Sequence, residues 1–320
     1  METTGVISYD FSGIFWDYFT SHTVKIGDFS WHISGAGMSP LGIPHCDKER
    51  VLEFLYVNCA PSDQKRPILW ECEAKGSISF LGDESPHHPQ QNIMALWNNC
   101  FSNYTVYPEH QEKYIDFLWA DVRKIATFPR RTIQIEANIE IISSSLIDLS
   151  LPDNQLIRGP SDGALFTIDN AKVWLSRSVL THHSRFFELM FTADFKEKAT
   201  DTYALNDVKL DQFMHFLALI HYMKVDIKAE TVTYLLNLAD MYQCDFVLKR
   251  CEEFLRSPLS AYVSWREKIC IANRFDFYRL LAESIQHIPV KELKAIIQRG
   301  DHRDLSNHTR DLMLERFAIE

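Results

Sequence analysis

Between Thr132 and Ile142, apolar and polar residues alternate without a break. Ile133, Ile135, Ala137, Ile139 and Ile141 form one row, and Gln134, Glu136, Asn138 and Glu140 form the other. Successive side chains of an extended chain point to opposite faces, so a period of two sends one row into a core and the other into water. Val51–Cys59 and Ile68–Phe80 read as two more strands. Turn-rich breaks at Ala60-Pro61-Ser62-Asp63 and Gly82–Pro89 bound them. Several strands at such spacing point to a β-sandwich over residues 1–145.

Residues 143–158 (SSSLIDLSLPDNQLIR) change character. Three serines and Pro152-Asp153-Asn154 give them the look of a linker, with the linker proper set at 146–158. A short strand pair is expected next, Ala164–Ile168 and Lys172–Leu175, turning at Asp169-Asn170. Beyond it the period becomes helical. Val179, Phe186, Phe187 and Met190 recur near helical spacing, and Val232, Leu235, Leu236, Ala239 and Tyr242 do so more cleanly. Residues 258–320 continue as short helices broken at Ser257-Pro258, Ile288-Pro289 and Arg299-Gly300-Asp301.

Composition excludes several classes of function. The 320 residues carry 33 Lys+Arg against 43 Asp+Glu, a formal charge of −10. A broad nucleic-acid surface needs clustered basic residues, so that role is not expected. No apolar run reaches the roughly 18 residues that span a bilayer. Met1-Glu2-Thr3-Thr4-Gly5 shows neither the basic nor the apolar part of a signal peptide, so the cytoplasm or nucleus is the expected location. Cys46, Cys59, Cys72, Cys100, Cys244, Cys251 and Cys270 are scattered and odd in number, as free thiols of a reducing compartment are. No GxGxxG, GxxxxGK, HExxH or GxSxG occurs. His87-His88 and His182-His183 are adjacent pairs, and helix neighbours do not share a face. No cysteine pair has the short gap of a zinc site. Neither catalytic residues, nor a metal, nor a cofactor is expected.

An ordered series of motifs lies between residues 161 and 256. It runs Ser161-Asp162-Gly163, Val179-Leu180, Ser184-Arg185-Phe186-Phe187, Met190-Phe191, Asp194-Phe195-Lys196-Glu197 and Leu205-Asn206-Asp207-Val208. Leu235-Leu236-Asn237-Leu238-Ala239-Asp240-Met241-Tyr242 and Cys251-Glu252-Glu253-Phe254-Leu255 close it. In order and spacing this series resembles the BTB/POZ family, with the domain at 159–257. Two positions depart from the family's pattern. Ser176-Arg177 replaces its His-Lys, and the Ser176 hydroxyl can cap the helix that follows. His221-Tyr222-Met223 replaces its Tyr-x-Gly, so this turn is expected to avoid positive φ. Upstream, Phe29-Ser30-Trp31-His32-Ile33, Glu53–Cys59 and Thr132–Ile142 resemble strands of the MATH domain in MATH–BTB proteins.

The resemblance implies an α+β chain: a MATH/TRAF-like β-sandwich, an α/β BTB/POZ domain, and a BACK-like helical extension over 258–320. It implies a protein-interaction adaptor rather than an enzyme, acting as a substrate receptor of a cullin-3 RING ubiquitin ligase. Phe195-Lys196-Glu197 fits the family's apolar-x-Glu cullin motif, with Tyr242 and Asp245 expected on the same face. A homodimer is implied, with Asp162 and Arg177 at the positions of the family's buried interfacial charge pair; a solvated Arg and a turn-forming Asp are the alternative. Protein substrate would bind the N-terminal domain. Trp97, Phe101, Tyr104 and Tyr107 either line its groove or, as aromatics of a β-domain more often do, fill its core. The competing function is a homodimeric BTB scaffold or transcriptional co-regulator that binds no cullin.

Overall fold

The computed structural model describes residues 3–11, 19–38, 51–63, 67–82, 92–102, 133–192 and 202–318. The chain divides into two compact units. The first holds residues 1–176 together with Tyr203–Asn206 and Met223–Val225. The second holds Arg177–Thr202, Asp207–Tyr222 and Asp226–Glu320.

Two antiparallel sheets build most of the first unit. One takes β1 (Thr4–Phe11), β8 (Ile133–Asp148), β6 (Ile68–Gly82) and β7 (Asn92–Ser102) in that order. The other centres on β4 (Phe29–Met38), flanked by β2 (Phe19–Thr20), β3 (Val24–Ile26) and β5 (Val51–Pro61). Both sheets feed one core. Trp31, Ile33, Leu55 and Val57 come from the second, and Ile7, Cys72, Ile78, Phe101, Ile135, Ala137 and Ile139 from the first. Trp31 meets Phe101 edge-on at 5.2 Å. The strict alternation in β8 therefore does what its period requires, and the expected sandwich is present.

Gly76 sits where strands β6, β7 and β8 crowd together. A Cβ there would lie 1.9 Å from the Asn138 carbonyl oxygen and 2.8 Å from the Trp97 ring. Trp97 is its register partner and fills the space the missing side chain leaves.

The serine-rich stretch corrects the linker reading of its first half. Strand β8 runs on to Asp148, and Ser143–Asp148 pair with Glu73–Ile68. Ser143 and Ser144 are exposed, while Ile147 is buried. Backbone pairing needs no particular side chain, so serines on a solvent face do not end a strand. One irregularity, between Glu73 and Ala74, leaves Ile142 outside the register and 49% exposed.

A smaller three-stranded sheet completes the first unit, in the order β10 (Ala171–Ser176), β9 (Gly163–Ile168), β11 (Thr202–Leu205). The expected hairpin turn is at Asp169-Asn170, whose φ values of 48° and 65° suit a two-residue hairpin. Phe166 stacks on Tyr203 at 5.2 Å, and both are buried. Asn154 ties the preceding segment down, donating to the Leu151 carbonyl at 2.9 Å and the Trp174 carbonyl at 3.1 Å.

The second unit is helical. Its described helices are α1 (Arg177–His183), α2 (Arg185–Thr192), α3 (Leu210–Ile220), α4 (Ala229–Met241), α5 (Asp245–Arg256), α6 (Trp265–Arg274), α7 (Tyr278–His287), α8 (Val290–Arg299) and α9 (Asn307–Ala318). Helix α3 is buried on all sides from Phe213 to Ile220. Leu280, Leu281, Ile285, Leu293 and Ile296 bury the stripe expected in the C-terminal helices.

The turn after α3 overturns the expectation of negative φ. Tyr222 adopts φ 56°, just as Gln243 (50°) follows α4, Asp276 (54°) follows α6 and Gly300 (83°) ends α8. At this position a left-handed residue lets the amides close back on the last turn: Tyr222 N–H reaches the Leu219 carbonyl at 2.9 Å. The Tyr222 ring rests between His183 and Phe246, at 5.5 and 5.1 Å. Those contacts offset the strain that a glycine would avoid.

Candidate partner-binding site

Ser184 stands between α1 and α2 as the residue that starts the second helix. Its hydroxyl oxygen accepts from the Phe187 amide at 3.2 Å, the N-cap bond that a serine in this position makes. Its hydroxyl proton goes elsewhere, in a short bond to the carbonyl of Tyr242. Tyr242 caps the C-terminus of α4, its own amide reaching Leu238 at 2.9 Å. One buried side chain therefore joins the α1–α2 corner to the α4–α5 turn.

The ring of Tyr242 reinforces this joint. It stacks on Phe187 at 4.9 Å and meets Phe186, Phe213 and Phe216 within 5.8 Å. Only 2% of Tyr242 is exposed, and burial pushes its phenol well above the usual range. The expectation that Tyr242 faces a partner is thereby corrected: the ring is a core element and offers no surface. Asp245, three residues on, is exposed at the first position of α5, where a carboxylate complements the helix dipole. Phe195 and Glu197 lie outside the described residues.

Around this joint the surface carries apolar side chains. Leu189 on α2 and Met241 at the end of α4 are half exposed, and Tyr222 is 66% exposed. His183 packs on Phe246 at 5.4 Å. Burial holds its imidazole below the ordinary value, with the charge of His182 adding to the effect. Burial likewise lowers His221 to about 4, with His183 contributing. His183, Tyr222 and Phe246 form a ring cluster here, and the charged residues Arg185, Glu188, Asp240 and Asp245 are exposed on the neighbouring helices.

Asp162 precedes β9 and is held on the spot. Its carboxylate accepts from the Ser176 hydroxyl at 2.8 Å and from the Arg158 amide at 3.0 Å. Arg177 places its guanidinium 4.8 Å from the centre of the Phe191 ring, a cation–π arrangement.

In the sandwich, the aromatics considered for a groove divide. Phe101 is buried and Trp97 is half-buried against the core; Tyr104 and Tyr107 lie outside the described residues. What the outer face of β7 does present is Met94, 63% exposed, and Leu96, 77% exposed. Among the described residues no group of three His, Cys, Asp or Glu could hold a metal ion. Reading the motifs named Ser184 and His183 without the contacts they make here, and missed Phe246. For Ser184 the signal was there: a serine directly before a helical run, three residues ahead of Phe187.

Residues 160–259 match the family model described as BTB/POZ domain. Over these residues the chain is similar to a BTB/POZ domain. The joint of Ser184 and Tyr242, Asp162 and Arg177 all lie within the matched BTB/POZ residues. Similarity extends well beyond them. BTB and MATH domain-containing protein 38 of Caenorhabditis elegans is 23% identical over 266 residues, covering 82% of this chain and 66% of that protein. Protein 36 of the same name and organism is 23% identical over 315 residues, covering 92% of this chain and 89% of its own length. The chain thus spans just under two thirds of the first relative. Mouse Kelch-like protein 7 is 29% identical over 97 residues, covering 30% of this chain and 17% of that protein, so there the likeness is confined to about the length of the BTB/POZ domain. The chain is similar to BTB and MATH domain-containing proteins over most of its length, and this similarity supports a protein-interaction adaptor.

Proposed function

We propose that this chain is an adaptor that recruits protein substrates to a cullin-3 RING ubiquitin ligase. The observation that carries the reading is the BTB/POZ match over 160–259, and Phe195-Lys196-Glu197, within that range, resembles the family's apolar-x-Glu motif. In this reading Phe195 fills an apolar pocket on the cullin helices, and Glu197 and Asp245 supply carboxylates beside it. The sandwich binds the substrate, and the BTB/POZ domain pairs with a second copy through Asp162 and Arg177. A dimer brings two sandwiches to one substrate and raises the effective affinity.

The test is calorimetric titration of the full chain with the N-terminal region of cullin-3. Burying an aromatic anchor contributes roughly 1.5–3 kcal/mol, so Phe195→Ala with Glu197→Ala should weaken binding at least about tenfold. Light scattering of the same variant should still report a dimer. A wild-type chain that is folded and dimeric but shows no heat with cullin-3 would sink the ligase reading and leave the homodimeric scaffold.

A further inference from the structure

We propose that Ser184 is a positioning residue for partner binding: it sets α2 and the α4–α5 turn in the mutual arrangement that a partner engages. The inference rests on the function proposed above and deepens it. Ser184 touches no partner itself, being 2% exposed. Its one hydroxyl serves two elements at once, capping α2 through the Phe187 amide and donating to the Tyr242 carbonyl at the end of α4. Helix α2 leads in sequence toward Phe195, and the turn after Tyr242 leads to Asp245 and Phe246. Ser184 thus ties the N-terminal end of the helix that precedes Phe195 in sequence to the turn that precedes Asp245.

The chemistry of the Tyr242 carbonyl explains why this bond matters to position. As a carbonyl of the last turn of α4 it has no helical partner, and it is beside a buried ring. Without Ser184 it is a buried acceptor with this donor gone, and the turn must shift to find another. The rest of the turn moves with it, because the Cys244 amide is fixed to Ala239 at 2.8 Å and Gln243 is held left-handed. Losing the hydroxyl therefore degrades the prearranged surface more than it degrades the fold.

Four full-length chains test this: wild type, Ser184→Ala, Ser184→Thr and Ser260→Ala. Ser260 is the comparison because it too is buried and hydrogen-bonded at a helix junction, donating to Leu255 and accepting from Lys268 at 2.7 Å each. Titration with cullin-3 should show Ser184→Ala about tenfold weaker, Ser184→Thr close to wild type, and Ser260→Ala unchanged despite a comparable loss of stability. Equal affinity of Ser184→Ala and wild type overturns the proposal. Hydrogen exchange adds a reading that needs no partner. Ser184→Ala should speed exchange in both 185–192 and 243–250, and Ser260→Ala in neither. If wild type does not bind cullin-3, the ligase reading fails, and exchange alone decides this one. Faster exchange confined to 185–192 means a lost cap only and overturns it. Should Ser184→Ala not fold, Ser184→Cys is read the same way, since a thiol of similar size is a weak donor.

Discussion

His215 shows how a single residue can set the acid limit of this molecule. It is fully buried in α3, and its Nδ1 lies 2.6 Å from the Tyr234 hydroxyl. Burial lowers it to about 4, the nearby Lys228 charge adding to the effect and a backbone hydrogen bond at Asp226 opposing it. The folded state therefore holds a neutral imidazole that the unfolded chain would protonate near pH 6.5. Stability from this site is complete above about pH 6.5 and drains away as the pH falls toward 4. Urea midpoints should drop across that window, with His215 alone accounting for on the order of 3 kcal/mol. His215→Phe should flatten the slope; an unaltered slope in that variant would refute the assignment. No motif announced this histidine, because its effect comes from being enclosed by α3's neighbours rather than from its place in a pattern.

At the level of elements, the helix ends carry the lesson. Three described helices hand over to left-handed Tyr222, Gln243 and Asp276, positions where glycine would cost less. Gln243 is exposed, and no ring contact of its own repays the strain. Gln243→Gly should therefore raise the unfolding free energy by about 0.5–1 kcal/mol, measured by chemical denaturation. A lower value would mean that the extra freedom glycine gives the unfolded chain prevails. The strands and helices themselves were largely legible from Ile133–Ile141, Val51–Cys59 and Val232–Tyr242, since burial of one face leaves a period. Ser143–Ser145 misled because serine signals a loop by composition, while strand pairing there is made by backbone. Tyr242 misled for a related reason: a motif fixes where a residue lies along the chain, not which way its ring turns. The hydroxyl bond from Ser184 to Tyr242 spans 58 residues, a pairing that no local pattern encodes.

For the whole molecule, Gly76 and Gln243 lie in different compact units. Gly76→Ala forces a Cβ against the Asn138 backbone and should cost at least about 2 kcal/mol in the sandwich. Combined with Gln243→Gly in the helical unit, its effect should add to within about 0.5 kcal/mol, because the two sites share no partner. A larger deviation in a double-mutant cycle would show that the units are coupled. The division has a further consequence, during synthesis. Every described residue of the sandwich core cluster has been made once the ribosome passes Leu146. The small sheet is different. Strand β9 emerges with β10 already following it, but its other neighbour, β11, is encoded only after α1 and α2. Until Tyr203 arrives, Phe166 lacks its stacking ring and one edge of β9 stands open. A nascent chain of this design passes through a stage with an unpaired strand edge and an uncovered aromatic ring, the kind of surface that chaperones hold.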